Sequence, residues 1–144
     1  MLYVTGSSLQ YDPIGFSAFA IDDQSASTYE SIEFEGIISN IGDHYDSNSS
    51  SFTCPRRAVY MFSLNVLARN GYWVYLDLMR DDEFIAEAMC NDGSYSHSQT
   101  TTMSVVIECE AGQVVWVRTG STSYVEGGST RNSVFTGYML YPYE

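Results

Sequence analysis

From Val59 onward the chain alternates with a period of two. Tyr60, Phe62, Leu64, Val66 and Ala68 are all apolar, and Asn70-Gly71 follows at once. Successive side chains of a strand point to opposite faces, so this run puts five apolar groups on one face of a strand. Asn-Gly suits the two positive-φ positions of a tight hairpin turn. A second strand is predicted from Trp73 to Met79, with Val74, Leu76 and Leu78 on one face. Asp81-Asp82-Glu83 reads as a charged turn and Phe84 to Cys90 as a further strand. Met103, Val105, Ile107 and Cys109 alternate again, and Ala111-Gly112 turns the chain into Gln113 to Thr119. There Val115 and Val117 lie on one side, Val114 and Trp116 on the other. Phe16 to Ile21 and Ile32 to Ile38 are predicted strands around the polar segment Asp22 to Ser31. Asn91 to about Thr101 reads as a polar loop, and Gly120 to Arg131 as a long hairpin connection. No amphipathic stretch of helix length and no internal repeat occurs. Many short strands at regular spacing imply an all-β sandwich or jelly roll.

The last predicted strand, Val134 to Tyr141, departs from simple alternation. Phe135, Met139 and Tyr141 fall on one face, while Val134, Tyr138 and Leu140 fall on the other. A strand apolar on both faces is covered on both. The plain reading is a strand covered on both sides within a monomer. Residues 1–144 are expected to form a single domain with its core at about 14–142.

Composition narrows the function classes. A net charge of -12 leaves too few cations to neutralise a run of phosphates, which argues against nucleic acid. It also disfavours an anionic membrane surface. No run of about 18 apolar residues exists, so membrane insertion is not expected. Met1-Leu2-Tyr3-Val4 is too short to be read as a signal peptide. No G-x-S-x-G elbow, phosphate-binding loop, dinucleotide fingerprint or H-E-x-x-H pattern is present, and no enzyme is expected. His44, in Gly42-Asp43-His44-Tyr45-Asp46, has no partner spacing that suggests a general base and reads as an exposed loop residue. Asn48-Ser49-Ser50 matches an N-glycosylation acceptor, a triplet common by chance. The twelve tyrosines exceed what a core requires and suit interfaces, because each carries an apolar ring and a polar tip. Three cysteines leave at least one unpaired, and Cys54 and Cys109 read as small buried hydrophobes.

A spaced set of residues then points to a family. Phe34, Asn40, Tyr45, Phe52, Tyr60 and Phe62 close on the run Phe52-Thr53-Cys54-Pro55-Arg56-Arg57-Ala58-Val59-Tyr60-Met61-Phe62. Ser133-Val134-Phe135-Thr136-Gly137-Tyr138-Met139-Leu140-Tyr141-Pro142 matches at the other end. Together they resemble the globular C1q domain; the family pattern has Gly at Ala58 and Phe or Tyr at Leu64. The resemblance implies a ten-stranded jelly roll of two five-stranded antiparallel sheets, of C1q/tumour-necrosis-factor type, assembled as a homotrimer. In the family the last strand faces the core on one side and the threefold axis on the other. That implies a role in core or trimer interface for Tyr60, Phe62, Phe135, Tyr138 and Leu140. Asn40 and Gly42 would set a turn. A family disulfide would pair Cys90 with the position of Tyr75, which is not a cysteine here. No Gly-X-Y run, and so no collagen-like segment, is seen in this chain.

Candidate ligand residues sit in two loops that a rigid sandwich would position. In the first, Tyr95 offers a stacking face, with Asn91, Asp92 and His97 as hydrogen-bonding groups. In the second, Tyr124 and Glu126 stand near Arg131, a clamp for a carboxylate or sialate. Several relatives hold calcium near the trimer apex through acidic and amide side chains. By resemblance, calcium here would fall to Asn91 and Asp92, with Gln99 where an acidic residue often stands. The plain alternative for each loop is an ordinary polar turn. The expectation is a secreted, extracellular, non-enzymatic homotrimer that binds glycans or microbial polysaccharide as a lectin-like pattern-recognition module of innate immunity. The rival readings are a signalling ligand for a protein receptor and a structural trimerisation head.

Overall fold

The computed structural model describes residues 11–69, 71–91 and 98–143 of the chain. Among these residues twelve strands follow one another: β1 (Gly15–Phe19), β2 (Gln24–Ala26), β3 (Gly36–Ile41), β4 (Tyr45–Asp46), β5 (Ser51–Thr53) and β6 (Ala58–Ala68), then β7 (Trp73–Arg80), β8 (Glu83–Asn91), β9 (Gln99–Cys109), β10 (Val114–Thr119), β11 (Ser123–Val125) and β12 (Val134–Pro142). Ten of them build the expected sandwich. One five-stranded sheet runs β3-β1-β12-β6-β9 and the other β4-β5-β10-β7-β8, and all their pairings are antiparallel.

The period-two faces meet between the sheets. Tyr60, Phe62, Leu64, Val66 and Ala68 are fully buried, as are Val74, Leu76 and Leu78 from the facing sheet. Aromatic rings fill the middle. Phe16 stacks on Tyr45 and Phe52 with centroids 4.5 and 5.1 Å away, and Phe135 meets Phe16 edge-on at 4.8 Å. Such offset and T-shaped pairs add about 0.5–1.5 kcal/mol each beyond the area they bury. Tyr60, Phe62 and Phe135 therefore belong to the core.

Four expectations are corrected. The polar segment Asp22 to Ser31 and the 120–131 connection each contain a short strand, β2 and β11, and these pair as a separate two-stranded ribbon. The second connection is also no hairpin, because β10 and β12 lie in different sheets. The strand expected over Ile32 to Ile38 begins only at Gly36. Before it, the Ile32 N–H donates to Val117 O and Ser31 bridges Arg118, so this stretch runs along β10 before crossing to the other sheet. Lastly, Tyr141 leaves the core face. A bulge between Met139 and Tyr141 adds one residue to β12, pairs Tyr141 with Val59, and turns its ring outward, 47% exposed. Smaller shifts occur too: β9 starts at Gln99, inside the expected loop, and β1 ends at Phe19.

The registers also fix two ends. Ala58 lies opposite Pro142 and Cys109, while Ala68 lies opposite Gln99 and Phe19 opposite Val134. Tyr143 donates its N–H to Arg57 O, so both described chain ends lie at the Ala58 end. Arg69, Gly71, Tyr72 and the 120–133 connection occupy the opposite, far end.

Candidate functional site

At the far end, residues from three parts of the chain converge. Arg69 follows directly on β6, its carbonyl accepts the Tyr72 N–H, and Gly71 takes φ +82°. Arg69 donates to Glu126 Oε1 at 2.8 and 3.0 Å, to Asp23 Oδ2 at 3.0 Å and to the Tyr124 hydroxyl at 3.3 Å. Its guanidinium also lies 5.2 Å from the Tyr124 ring centroid. The Tyr124 hydroxyl donates to Asp23 Oδ2 at 3.0 Å, and Asp23 Oδ1 accepts the Gly127 N–H at 2.9 Å. That backbone donor holds the Asp23 carboxyl below the usual carboxylate range, with Tyr124 and Arg69 assisting. Desolvation and the bond to Asp23 push the Tyr124 phenol up, so its proton stays in place.

Beside this network runs an open groove of about 390 Å³, lined by Ser25, Gly71, Tyr72, Trp73, Thr122, Ser123 and Tyr124. Tyr72 stacks on Tyr124 with centroids 4.5 Å apart. Tyr72 is 46% and Trp73 48% exposed. Ser123 is buried, its hydroxyl donating to Ser121 O and accepting the Tyr75 N–H, which ties β11 to the edge of β7.

Of the expected ligand residues, the structure brings Tyr124 and Glu126 together. Arg131 is engaged elsewhere, its guanidinium 4.5 Å from the Phe19 ring centroid. Tyr95, His97 and Asp92 lie outside the described residues, and so does the side chain of Asn91, the last residue of β8. Among the described residues no group of three or more His, Cys, Asp or Glu is placed to hold a metal ion. Gln99 accepts a bond from the Cys90 thiol at 3.5 Å. Sequence reasoning missed Asp23, Arg69, Tyr72 and Trp73. The signal for the last two was present: adjacent aromatics straight after a tight turn, where no core demands them.

The outer face of the first sheet carries a second feature. Across it, Ile41, Tyr138, Met61 and Val106 form one row, since Gly15 pairs with both Ile41 and Tyr138, and Met61 with both Tyr138 and Val106. Ile41, Tyr138 and Val106 are 50%, 41% and 61% exposed. Two residues along, Ser39, Ser17, Thr136, Ser63 and Ser104 form a row of hydroxyls, with Ser17 and Thr136 bonded at 2.9 Å. Leu140, the extra residue at the β12 bulge, is half-buried.

All three cysteines are buried. Cys90 sits opposite Val74 on the core side, whereas Tyr75 pairs with Met89 and points the other way. The Cys54 thiol, hydrogen-bonded to Cys109 and buried, is pushed well up.

The C1q domain model matches residues 15–140. The chain belongs to the C1q domain family. It is 33% identical to Caprin-2 of Danio rerio over 111 residues, 76% of this chain and 12% of that protein. It is 29% identical to one of the polypeptides of the complement C1q subcomponent of Rattus norvegicus over 131 residues, 90% of this chain and 51% of that protein. The chain thus spans about half, or much less, of the curated relatives it matches. Among solved structures, the globular domain of zebrafish complement 1qA superposes with a TM-score of 0.70 at 18% identity, covering 90% of this chain and 99% of that one. Eiger TNF from S. frugiperda superposes at 0.71 with 12% identity, covering 93% and 96%. The family supports a ligand-binding or trimerising role.

Proposed function

We propose that this C1q domain assembles as a secreted homotrimer and recognises glycans or microbial surface polysaccharide, as a non-enzymatic module of innate immunity. The observation that carries the reading is the outer face of the β3-β1-β12-β6-β9 sheet. Ile41, Tyr138, Met61 and Val106 form an apolar belt across it and a hydroxyl belt runs alongside, a surface suited to a copy of itself. Burying this face in a trimer leaves the far-end groove in solvent. Three such ends on one particle turn individually weak sites into an avid one. Asn91, the last residue of β8, and its neighbour Asp92 remain the candidate calcium ligands.

Two measurements test this. Sedimentation equilibrium at micromolar protein should return three times the chain mass; a monomer overturns the assembly. A glycan and microbial-polysaccharide array, run in calcium and again in EDTA, should show binding. Loss in EDTA supports the calcium set, and binding indifferent to EDTA removes the metal from recognition. Silence in both arms overturns the glycan reading in favour of a protein receptor.

A further inference from the structure

We infer that the far-end groove between Gly71–Trp73 and β11 is a subsite for one neutral pyranose ring, stacked on Trp73 and Tyr72. The inference rests on the glycan-binding reading above and gives it an address. Three observations carry it.

The first is chemical. The groove pairs aromatic faces with the exposed hydroxyls of Ser25 and Thr122. A pyranose has one face of C–H groups and an edge of hydroxyls. Its C–H face suits the negative face of an indole or phenol ring, and its edge suits the serine and threonine. A purely apolar ligand would leave the hydroxyls facing carbon, and a fully polar one would leave the rings wet.

The second is charge. The charged side chains bordering the groove are already committed to one another: Arg69 to Glu126 and Asp23, and Asp23 also to Gly127 and Tyr124. Arg131, the cation expected to clamp a carboxylate, lies over Phe19 instead. The chain carries a net charge of -12 and the groove's own cation is neutralised by two carboxylates. Among the described residues, an anionic sugar, a phosphate or a sulfate would meet no free counter-charge. A neutral sugar needs none.

The third is rigidity. Tyr72 is held by its stack on Tyr124, and Tyr124 by Asp23 and Arg69. Trp73 is the first residue of β7, with Tyr75 edge-on to its indole at 6.3 Å. The rings are set before any ligand arrives, which limits the ordering cost of binding. Arg69 and Asp23 are then positioning residues for the platform.

The test uses the intact protein with methyl β-D-glucopyranoside, methyl β-D-galactopyranoside and methyl α-D-mannopyranoside as probes, and N-acetylneuraminic acid as the charged comparison. Binding is read by saturation-transfer NMR and by tryptophan fluorescence in a Trp116→Phe background, which isolates Trp73. At least one neutral glycoside should bind in the millimolar range and perturb Trp73. Trp73→Ala should weaken it at least tenfold without changing the melting temperature, since the side chain is half in solvent. Trp73→Phe should retain most of the binding, and Tyr141→Ala, an exposed aromatic at the other end, should retain all of it. Glycan binding by the whole protein that Trp73→Ala leaves unchanged overturns the groove but not the function. Binding confined to the charged sugar also overturns it. An array silent throughout, with no response at Trp73, sinks both.

Discussion

Asn40 carries more of the fold than its exposed neighbours suggest. Its amide donates to Tyr45 O at 2.8 Å and to Asp43 Oδ1 at 3.2 Å, while its oxygen accepts the Tyr45 N–H at 3.1 Å. These bonds close a turn in which Gly42 and Asp43 both take positive φ, the step from β3 to β4. Asn40→Ala removes all three side-chain bonds and leaves both backbone groups of Tyr45 to find water. It should cost about 1–3 kcal/mol, read as a lower urea midpoint with an unchanged slope. An unmoved midpoint would mean that solvent replaces the amide fully. Glu87 makes the opposite case. It lies across from Asp77, and burial and the hydrogen bond to Asp77 push its carboxyl up, while Arg118 Nε lies 3.6 Å from Asp77 Oδ2. A carboxyl raised in the folded state stabilises below its unfolded value near pH 4.3 and loses that contribution as pH rises through the folded value. Glu87→Gln mimics the protonated form permanently. Its melting temperature should exceed that of the parent at pH 7, and the gap should close as pH falls through the folded value. A gap that widens on acidification would show that the carboxylate, not the acid, is the stabilising form.

At the scale of elements, β12 is the strand that most constrains its neighbours. Gly137 lies buried where a Cβ would come 2.5 Å from Phe62 Cδ1 and 2.7 Å from Phe16 Cε1. Both rings are locked in the aromatic stack, so neither yields easily. Gly137→Ala should cost about 1–3 kcal/mol or more by overpacking, visible as a lower thermal midpoint; an unchanged midpoint would show that the stack is looser than its geometry. The long half-buried strands β6, β7, β9 and β10 were legible in the sequence because one buried face imposes a period of two. The ribbon of β2 and β11 was not. Three-residue strands built from Gln24, Ser25, Ser123 and Tyr124 are too short and too polar to show any period. Nor was the β12 bulge, since Met139, Leu140 and Tyr141 are all apolar and either facing fits the pattern. The site was half legible for a related reason. Tyr124 and Glu126 stand out within one loop, but Asp23, Arg69 and Tyr72 lie up to about a hundred residues away and join them only through the topology.

On the scale of the whole molecule, the outer face of the first sheet is the surface on which the proposed trimer rests. Tyr138 sits in the middle of the apolar row, its hydroxyl 3.1 Å from Met61 Sδ, and is 41% exposed on the single chain. The core does not need it, because Phe135, Gly137 and Met139 hold the inner face of the same strand. Tyr138→Asp therefore separates folding from assembly. In a trimer that covers this face, the substitution brings three carboxylates into a desolvated interface, a cost too large for ordinary packing to offset. The expected product is a soluble monomer with the circular dichroism of the parent and a sedimentation mass one third as large. Because no buried core contact is lost, its unfolding midpoint should become independent of protein concentration, whereas the parent's should rise with concentration as mass action requires. Glycan avidity should fall with it, while the response of Trp73 to a monovalent glycoside stays, since the groove lies at the far end of the same chain. A Tyr138→Asp protein that remains a trimer of parental stability would place the contact between copies elsewhere on the sandwich.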